Sequence, residues 1–236
     1  MALTHKEHFP DFRQGAMILI DKPIGWTSFD VVNKIRRHIG VKVGHAGTLD
    51  PLATGLLILC TGKKTRELGT LSRLDKSYTG TLTFGGTTPS YDAETGIDRR
   101  FDISHLDQEL INAAILSFIG EIEQVPPAYS AVKIKGEPAY KKARRGQPVV
   151  IPPRKVIIHA FRATRIALPD ADFEVSCSKG TYIRSLVHDL GMKLGAGAYL
   201  KSLRRTRIGD HRIEDAWILE DFLKEERDMN RPNPES

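Results

Sequence analysis

The run Leu56-Leu57-Ile58-Leu59-Cys60 constrains this chain more than any other stretch. Short, continuously apolar and bounded by turn residues, it reads as a buried strand. Just ahead of it lies Gly44-His45-Ala46-Gly47-Thr48-Leu49-Asp50-Pro51-Leu52-Ala53-Thr54-Gly55, a loop punctuated by Gly and Pro that carries one carboxylate, Asp50. A carboxylate at the mouth of a buried strand is rigidly placed and partly desolvated. Those are the two properties a reactive Asp needs.

A chain of 236 residues can bury a substantial core. Met1 to Pro10 has no apolar signal-peptide region, and no apolar stretch reaches the length of a membrane span, so a cytoplasmic protein without membrane contact is expected. Cys60 and Cys177 both lie in apolar strand-like runs and read as buried, reduced thiols. Charge is concentrated. Between Lys133 and Lys155 eight cations face the single acid Glu137, a net +7 against +6 for the whole chain, so everything else carries −1. A second cluster, Lys201, Arg204, Arg205 and Arg207, contains no acid. Positive charge gathered in this way fits a phosphate-backbone partner.

Met17 to Ile20 reads as a strand ended by the turn Asp21-Lys22-Pro23-Ile24-Gly25-Trp26. Thr27 or Ser28 can cap the next helix, and Thr27-Ser28-Phe29-Asp30 fits a capping box; Gly40 ends that helix. Thr65 to Leu74 looks helical. Lys76 to Phe84 alternates with period two, which puts Tyr78 on the inward face of a half-buried strand. Ser104, with Asp107 at the capping-box position, opens a helix to Gly120. A short basic helix is expected from Glu137 to Arg145 within a mobile arm, strands at Val156 to Ile166 and Phe173 to Cys177, and a helix opened by Gly180-Thr181. Trp217 to Lys224 reads as a last helix, before a disordered tail at 226–236. Strands and helices mix without strict βαβ alternation. The expected fold is therefore α+β, a mixed, largely antiparallel sheet flanked by helices.

Several familiar chemistries fail. Gly62-Lys63-Lys64-Thr65 lacks the upstream Gly and the hydroxyl position of a phosphate loop. No GxSxG elbow is present, His5 and His8 lack further ligands, and His188-Asp189 reads as a surface pair on a helix. What remains is Asp50, Tyr78, Arg184 and the basic segments. Arg184 falls near a helix start, where the backbone dipole does not favour a cation, so it needs an anionic partner. Asp50 is one candidate.

Six stretches together resemble the TruB family of tRNA pseudouridine synthases. They are Asp21-Lys22-Pro23-Ile24-Gly25-Trp26-Thr27-Ser28, the Gly44 to Gly55 loop, Lys76-Ser77-Tyr78, Gln124-Val125-Pro126-Pro127-Ala128-Tyr129-Ser130-Ala131-Val132-Lys133, Cys177-Ser178-Lys179-Gly180-Thr181-Tyr182-Ile183-Arg184 and Leu203-Arg204-Arg205. The resemblance implies a catalytic domain over 15–225 that isomerises uridine 55 of the tRNA T-loop to pseudouridine. Neither cofactor nor metal is implied. Asp50 is implied as the essential catalytic aspartate, with Tyr78 stacking on the flipped base and Arg184 favouring the ionised Asp50. His45 is implied as the wedge filling the space the base vacates, and Tyr182 and Leu203 as contacts to the target nucleotide. Lys22 and Pro23 belong to a motif supporting the catalytic loop. The basic stretch matches a thumb loop, about 126–155, whose Lys141, Lys142, Arg144 and Arg145 meet RNA.

Many bacterial members continue into a PUA domain, which is not expected here. A monomer acting on the tRNA T-arm without guide RNA is the expectation. The alternatives are a non-catalytic tRNA chaperone, opposed by intact Asp50, Tyr78 and Arg184, and a structural subunit of a larger RNA–protein particle.

Overall fold

The computed structural model describes residues 2–3, 10–130, 132–134 and 136–229. The chain divides into two compact units, Met1–Lys76 with Arg204–Ser236, and Ser77–Leu203. The chain leaves the first unit after Lys76 and re-enters it at Arg204, partway along the strand Ala198–Ile208.

In the first unit Met17–Lys22 pairs antiparallel with Ala53–Thr61, Met17 opposite Cys60 and Lys22 opposite Gly55. Val43–Ala46 also pairs antiparallel with Ala53–Thr61, and Trp217–Ile218 lies parallel to Met17–Lys22. The continuous apolar run follows from cores on both sheet faces. Leu57 and Leu59 pack with Ile18, Ile20, Ile35, Trp217 and Phe222. Leu56, Ile58 and Cys60 pack with Met17, Leu19, Ala46 and Ile208. Helix Ser28–Ile39 covers the first of these cores with Val31, Val32 and Ile35. Its capping box forms with Thr27 as the cap and Asp30 as the reciprocal acceptor, and Gly40 closes it in the left-handed conformation.

In the second unit the sheet order runs from the start of Ala198–Ile208 through Lys76–Phe84, Asp170–Cys177 and Arg154–Ala167 to Gly120–Gln124. Arg154–Ala167 and Asp170–Cys177 form an antiparallel hairpin, and Gly120–Gln124 pairs antiparallel with the start of Arg154–Ala167. Helices Gln108–Leu116 and Ile183–Lys193 flank these strands. Both units are thus α+β with largely antiparallel sheets.

Some boundaries differ from expectation. Asp107, not Ser104, caps its helix, because it is extended and its carboxylate accepts from the Leu110 amide at 2.7 Å. The expected helix over 65–74 is a 3-10 stretch, Gly62–Glu67, followed by one α turn, Leu68–Leu71. Ala198–Ile208, read only as a basic cluster, is an eleven-residue strand. The last helix spans Leu219–Met229, beyond the Lys224 end expected for it. Of the expected disordered tail, 230–236 lies outside the described residues, as do His5 and His8.

Candidate active site

The first unit holds Asp50 half-buried in a loop whose backbone is bonded along its length. The Asp50 carbonyl accepts from the Ala53 amide at 3.1 Å and the Pro51 carbonyl from the Gly25 amide at 2.9 Å. Ser28 joins in from the helix start: its hydroxyl accepts from the Leu49 amide at 2.8 Å and donates to the Leu49 carbonyl at 3.2 Å. The Lys22 side chain is fully buried (0 % exposed). Its ammonium donates to the carbonyls of Trp26 at 2.6 Å, Pro23 at 2.9 Å and Pro51 at 3.4 Å. The Lys-Pro turn and the Asp50 loop are therefore tied by one cation. Burial pushes the Lys22 ammonium down to about 8; Asp50 pulls it up and Arg205 pushes it further down.

His45 lies in the strand Val43–Ala46, opposite Leu59, rather than in a loop. Its Nδ1 is buried, with no hydrogen-bond partner among the described residues. Burial and the Arg205 charge hold its imidazole below the usual histidine range.

The second unit holds Arg184 as a buried guanidinium (4 % exposed) in the first turn of Ile183–Lys193. It donates to the carbonyls of Ser90 at 2.9 Å and Tyr129 at 3.0 Å, and its Nε stands 3.6 Å from the Asp92 carboxylate. Asp92, itself buried, also accepts from the Ser90 hydroxyl at 2.6 Å and the Glu94 amide at 3.0 Å. Tyr91 between them takes a left-handed φ of 64° and stacks on His188 at 3.8 Å. Such a conformation costs a bulky residue about 1–2 kcal/mol, which the stack and the surrounding bonds offset.

The Gln-Val-Pro-Pro stretch fastens the same helix start. Buried Gln124 accepts from the Tyr182 amide at 2.7 Å and donates to its carbonyl at 3.1 Å, while the Val125 carbonyl accepts from the Ser185 hydroxyl at 2.8 Å. Tyr182, the N-cap residue, places its ring 4.7 Å from the Arg154 guanidinium, which also donates to the Gly180 carbonyl. Tyr78 is on the buried face of Lys76–Phe84 (8 % exposed), and Leu203 is half-buried in Ala198–Ile208.

The basic arm is organised as a hairpin, Lys133–Ile134 with Glu137–Pro138, and a helix, Ala139–Arg144. Arg144 pairs with Glu94 at 2.8 Å and Arg145 with Glu137 at 2.9 Å, both on the surface. Among the described residues Lys141 and Lys142 form no ion pair. In the second cluster Lys201 and Arg207 are exposed and Arg204 is half-buried. Lys201 pairs with Asp170 at 2.7 Å, Arg204 grips Asp21 with two nitrogens at 3.0 and 2.6 Å, Arg207 donates to the Gly209 carbonyl, and Arg205 is buried. His188-Asp189 is not a surface pair. Both are half-buried, and burial raises the Asp189 carboxyl to about 6.

Sequence reasoning missed Asp92 as a partner of Arg184, Gln124 as the clamp on the Tyr182 backbone, and the burial of Arg205. Among the described residues no group of three His, Cys, Asp or Glu is arranged to hold a metal ion, and no helix is long and apolar enough to cross a membrane.

Fold and sequence together define a pseudouridine synthase. Residues 34–183 match the TruB family pseudouridylate synthase N-terminal domain, and residues 184–231 match the tRNA pseudouridylate synthase B C-terminal domain. The chain belongs to the TruB family of pseudouridylate synthases. It is 50 % identical over 214 residues to tRNA pseudouridine synthase B of Flavobacterium johnsoniae, covering 87 % of this chain and 93 % of that protein. The protein of the same name from Phocaeicola vulgatus is 47 % identical over 219 residues, covering 90 % and 93 %. Among solved structures, a chain in a Cbf5-Nop10-Gar1 complex superposes with a TM-score of 0.69 at 30 % identity, covering 94 % of this chain and 60 % of that one. A chain of an H/ACA RNP bound to a substrate RNA containing 2'-deoxyuridine gives 0.68 at 28 %, covering 91 % and 54 %.

Proposed function

We propose that this protein isomerises uridine 55 in the T-loop of tRNA to pseudouridine, with Asp50 as the catalytic carboxylate. The observation that supports the reading is the Asp50 loop itself, a carboxylate whose following carbonyl, that of Pro51, accepts from a buried ammonium, within the stretch 34–183 that matches the TruB family N-terminal domain. The reaction breaks the N1–C1′ bond, turns the uracil and joins its C5 to C1′; the C5 proton leaves and N1 gains one, so atoms balance without a cofactor. An ionised carboxylate can open this sequence by attacking C1′ or by removing the C2′ proton. Tyr78 stacks on the flipped base and Arg184 favours the ionised carboxylate, itself kept in place by Asp92 and two carbonyls. A neutral His45 suits a wedge that replaces an uncharged base in a stack. Tyr182 and Leu203 contact the target nucleotide, Lys22 supports the loop, and Lys141, Lys142, Arg144 and Arg145 meet phosphates from the thumb, about 126–155. The enzyme acts in the cytoplasm as a monomer, without guide RNA.

The test uses the purified chain with an unmodified tRNA transcript, following tritium release from C5-labelled uridine. Wild type forms pseudouridine at position 55 alone. Asp50→Asn is expected to lose at least about 10³-fold in rate while holding tRNA with a Kd within about threefold of wild type, since every cation that meets a phosphate is retained. Wild-type product from Asp50→Asn overturns the assignment, and product at another position overturns the site.

A further inference from the structure

Arg205 is one of the largest side chains that the fold removes from water (1 % exposed). A guanidinium keeps its charge at every working pH, and a buried one is costly unless its donors are spent. Its Nε donates to the Leu56 carbonyl at 2.7 Å and its Nη2 to the Gly47 carbonyl at 3.0 Å. Those two carbonyls stand at the entrance and the exit of the segment carrying Asp50. A planar, rigid fork bonded to both fixes the separation of the two ends, which a flexible ammonium would not do.

The backbone is shaped for this approach. Gly55, just inside the exit, has a φ of +101°, and a Cβ there would collide with the Arg205 carbonyl oxygen and fall 2.7 Å from the Arg205 amide nitrogen. Only glycine lets the exit strand lie this close to the backbone that carries the guanidinium. Gly47 at the entrance is left-handed too, with a φ of +88°. Lys22 holds the middle of the segment through Pro51.

We infer that Arg205 is a positioning residue for Asp50, its guanidinium clamping the two ends of the catalytic segment so that the carboxylate keeps one geometry. The inference rests on Asp50 being the reacting carboxylate. It assigns Arg205 to the catalytic loop, although its neighbours in sequence read as a phosphate-binding cluster. The same charge acts on both flanking groups, pushing the His45 imidazole and the Lys22 ammonium down. Removing it therefore leaves a mark on His45 that loss of packing alone would not.

The decisive experiment compares wild type with Arg205→Gln and Arg205→Lys as full chains. It reads the single-turnover rate of pseudouridine formation, the Kd for unmodified tRNA and the His45 titration by NMR. Arg205→Gln is expected to slow the reaction about 10²-fold with Kd within about threefold, a kcat-type loss. His45 should move up toward the ordinary histidine value. Arg205→Lys keeps the charge without the fork, so His45 should stay low while the rate remains at least about tenfold slow. A rate within about threefold of wild type in either folded variant overturns the inference, as does equal loss of rate and affinity. Failure of both variants to fold makes Arg205 structural and also overturns it. An inactive wild type would instead overturn the proposed function.

Discussion

The Asp50 segment is packed against two cations and the basic arm carries many, yet the two regions use positive charge in opposite ways. Around Asp50, Lys22 and Arg205 are removed from water and donate to backbone carbonyls of the loop and of the turn beside it. In the arm, Lys141, Arg144 and Arg145 are exposed, and the two arginines pair with surface glutamates. The first arrangement spends cations on shape. The second keeps them for a partner, because exposed pairs are worth only about 0–1 kcal/mol and exchange readily for phosphate. Net charge does not distinguish the two. What distinguishes them is whether the donors are buried against carbonyls or left on the surface.

The hardest strain on this contrast is Lys22→Met. It leaves the carbonyls of Trp26 and Pro23 without their buried donor, and the expected loss is about 2–4 kcal/mol of stability, a fall of roughly 5–12 °C in Tm. The effect has a pH signature. Lys22 binds its proton less tightly in the fold, at about 8, than in the unfolded chain at 10.5. The unfolded state therefore holds more of this proton across that window, and wild-type stability gains with rising pH between the two values. Lys22→Met should lack that gain, so denaturant melts at pH 7.5 and 9.5 should show the gap to wild type widening. A gap that closes at the higher pH would mean that Lys22 is not a buried cation.

Neutralising the arm tests the other side. The fourfold change of Lys141, Lys142, Arg144 and Arg145 to Gln should leave stability within about 1 kcal/mol. Affinity for tRNA should fall about 10–100-fold, and the slope of log Kd against log salt should drop by about 0.7–0.9 for each phosphate no longer neutralised. An unchanged slope would show that the arm, like Lys22 and Arg205, spends its charge within the protein.

Legibility in the sequence follows the range of the interactions. The Thr27–Asp30 capping box, the Gly40 stop and the alternation of Lys76–Phe84 are local, and each is found where the pattern places it. Ala198–Ile208 escaped because Lys201, Arg204, Arg205 and Arg207 interrupt its apolar alternation, and the groups that accept from them, such as Asp21 and Leu56, are far away in the chain. Asp92 was hidden for a similar reason. Its loop is polar and rich in turn residues, and only the fold brings it beside Arg184. The family pattern named Asp50, Tyr78, Arg184 and Lys22, but no local signal says that Lys22 and Arg205 are buried and bonded to carbonyls.

Asp189 lies between the two regimes and gives the smallest expected effect. It is half-buried beside His188, on which Tyr91 stacks, and burial raises its carboxyl from 3.8 to about 6. The folded chain therefore binds this proton more tightly than the unfolded one. The group costs nothing below about 3.8, and its full cost is present above about 6. Asp189→Asn removes the charge while keeping size and polarity. At pH 7.5 it should stabilise the protein by roughly 1–2 kcal/mol, less than the full shift implies because solvent still reaches the carboxylate. Stability measured between pH 4 and 6 should fall less steeply with rising pH in the variant than in wild type. Destabilisation at pH 7.5 would show that the carboxylate is held by a donor, as Asp92 is, and would move Asp189 from the charges that the fold tolerates to those it uses.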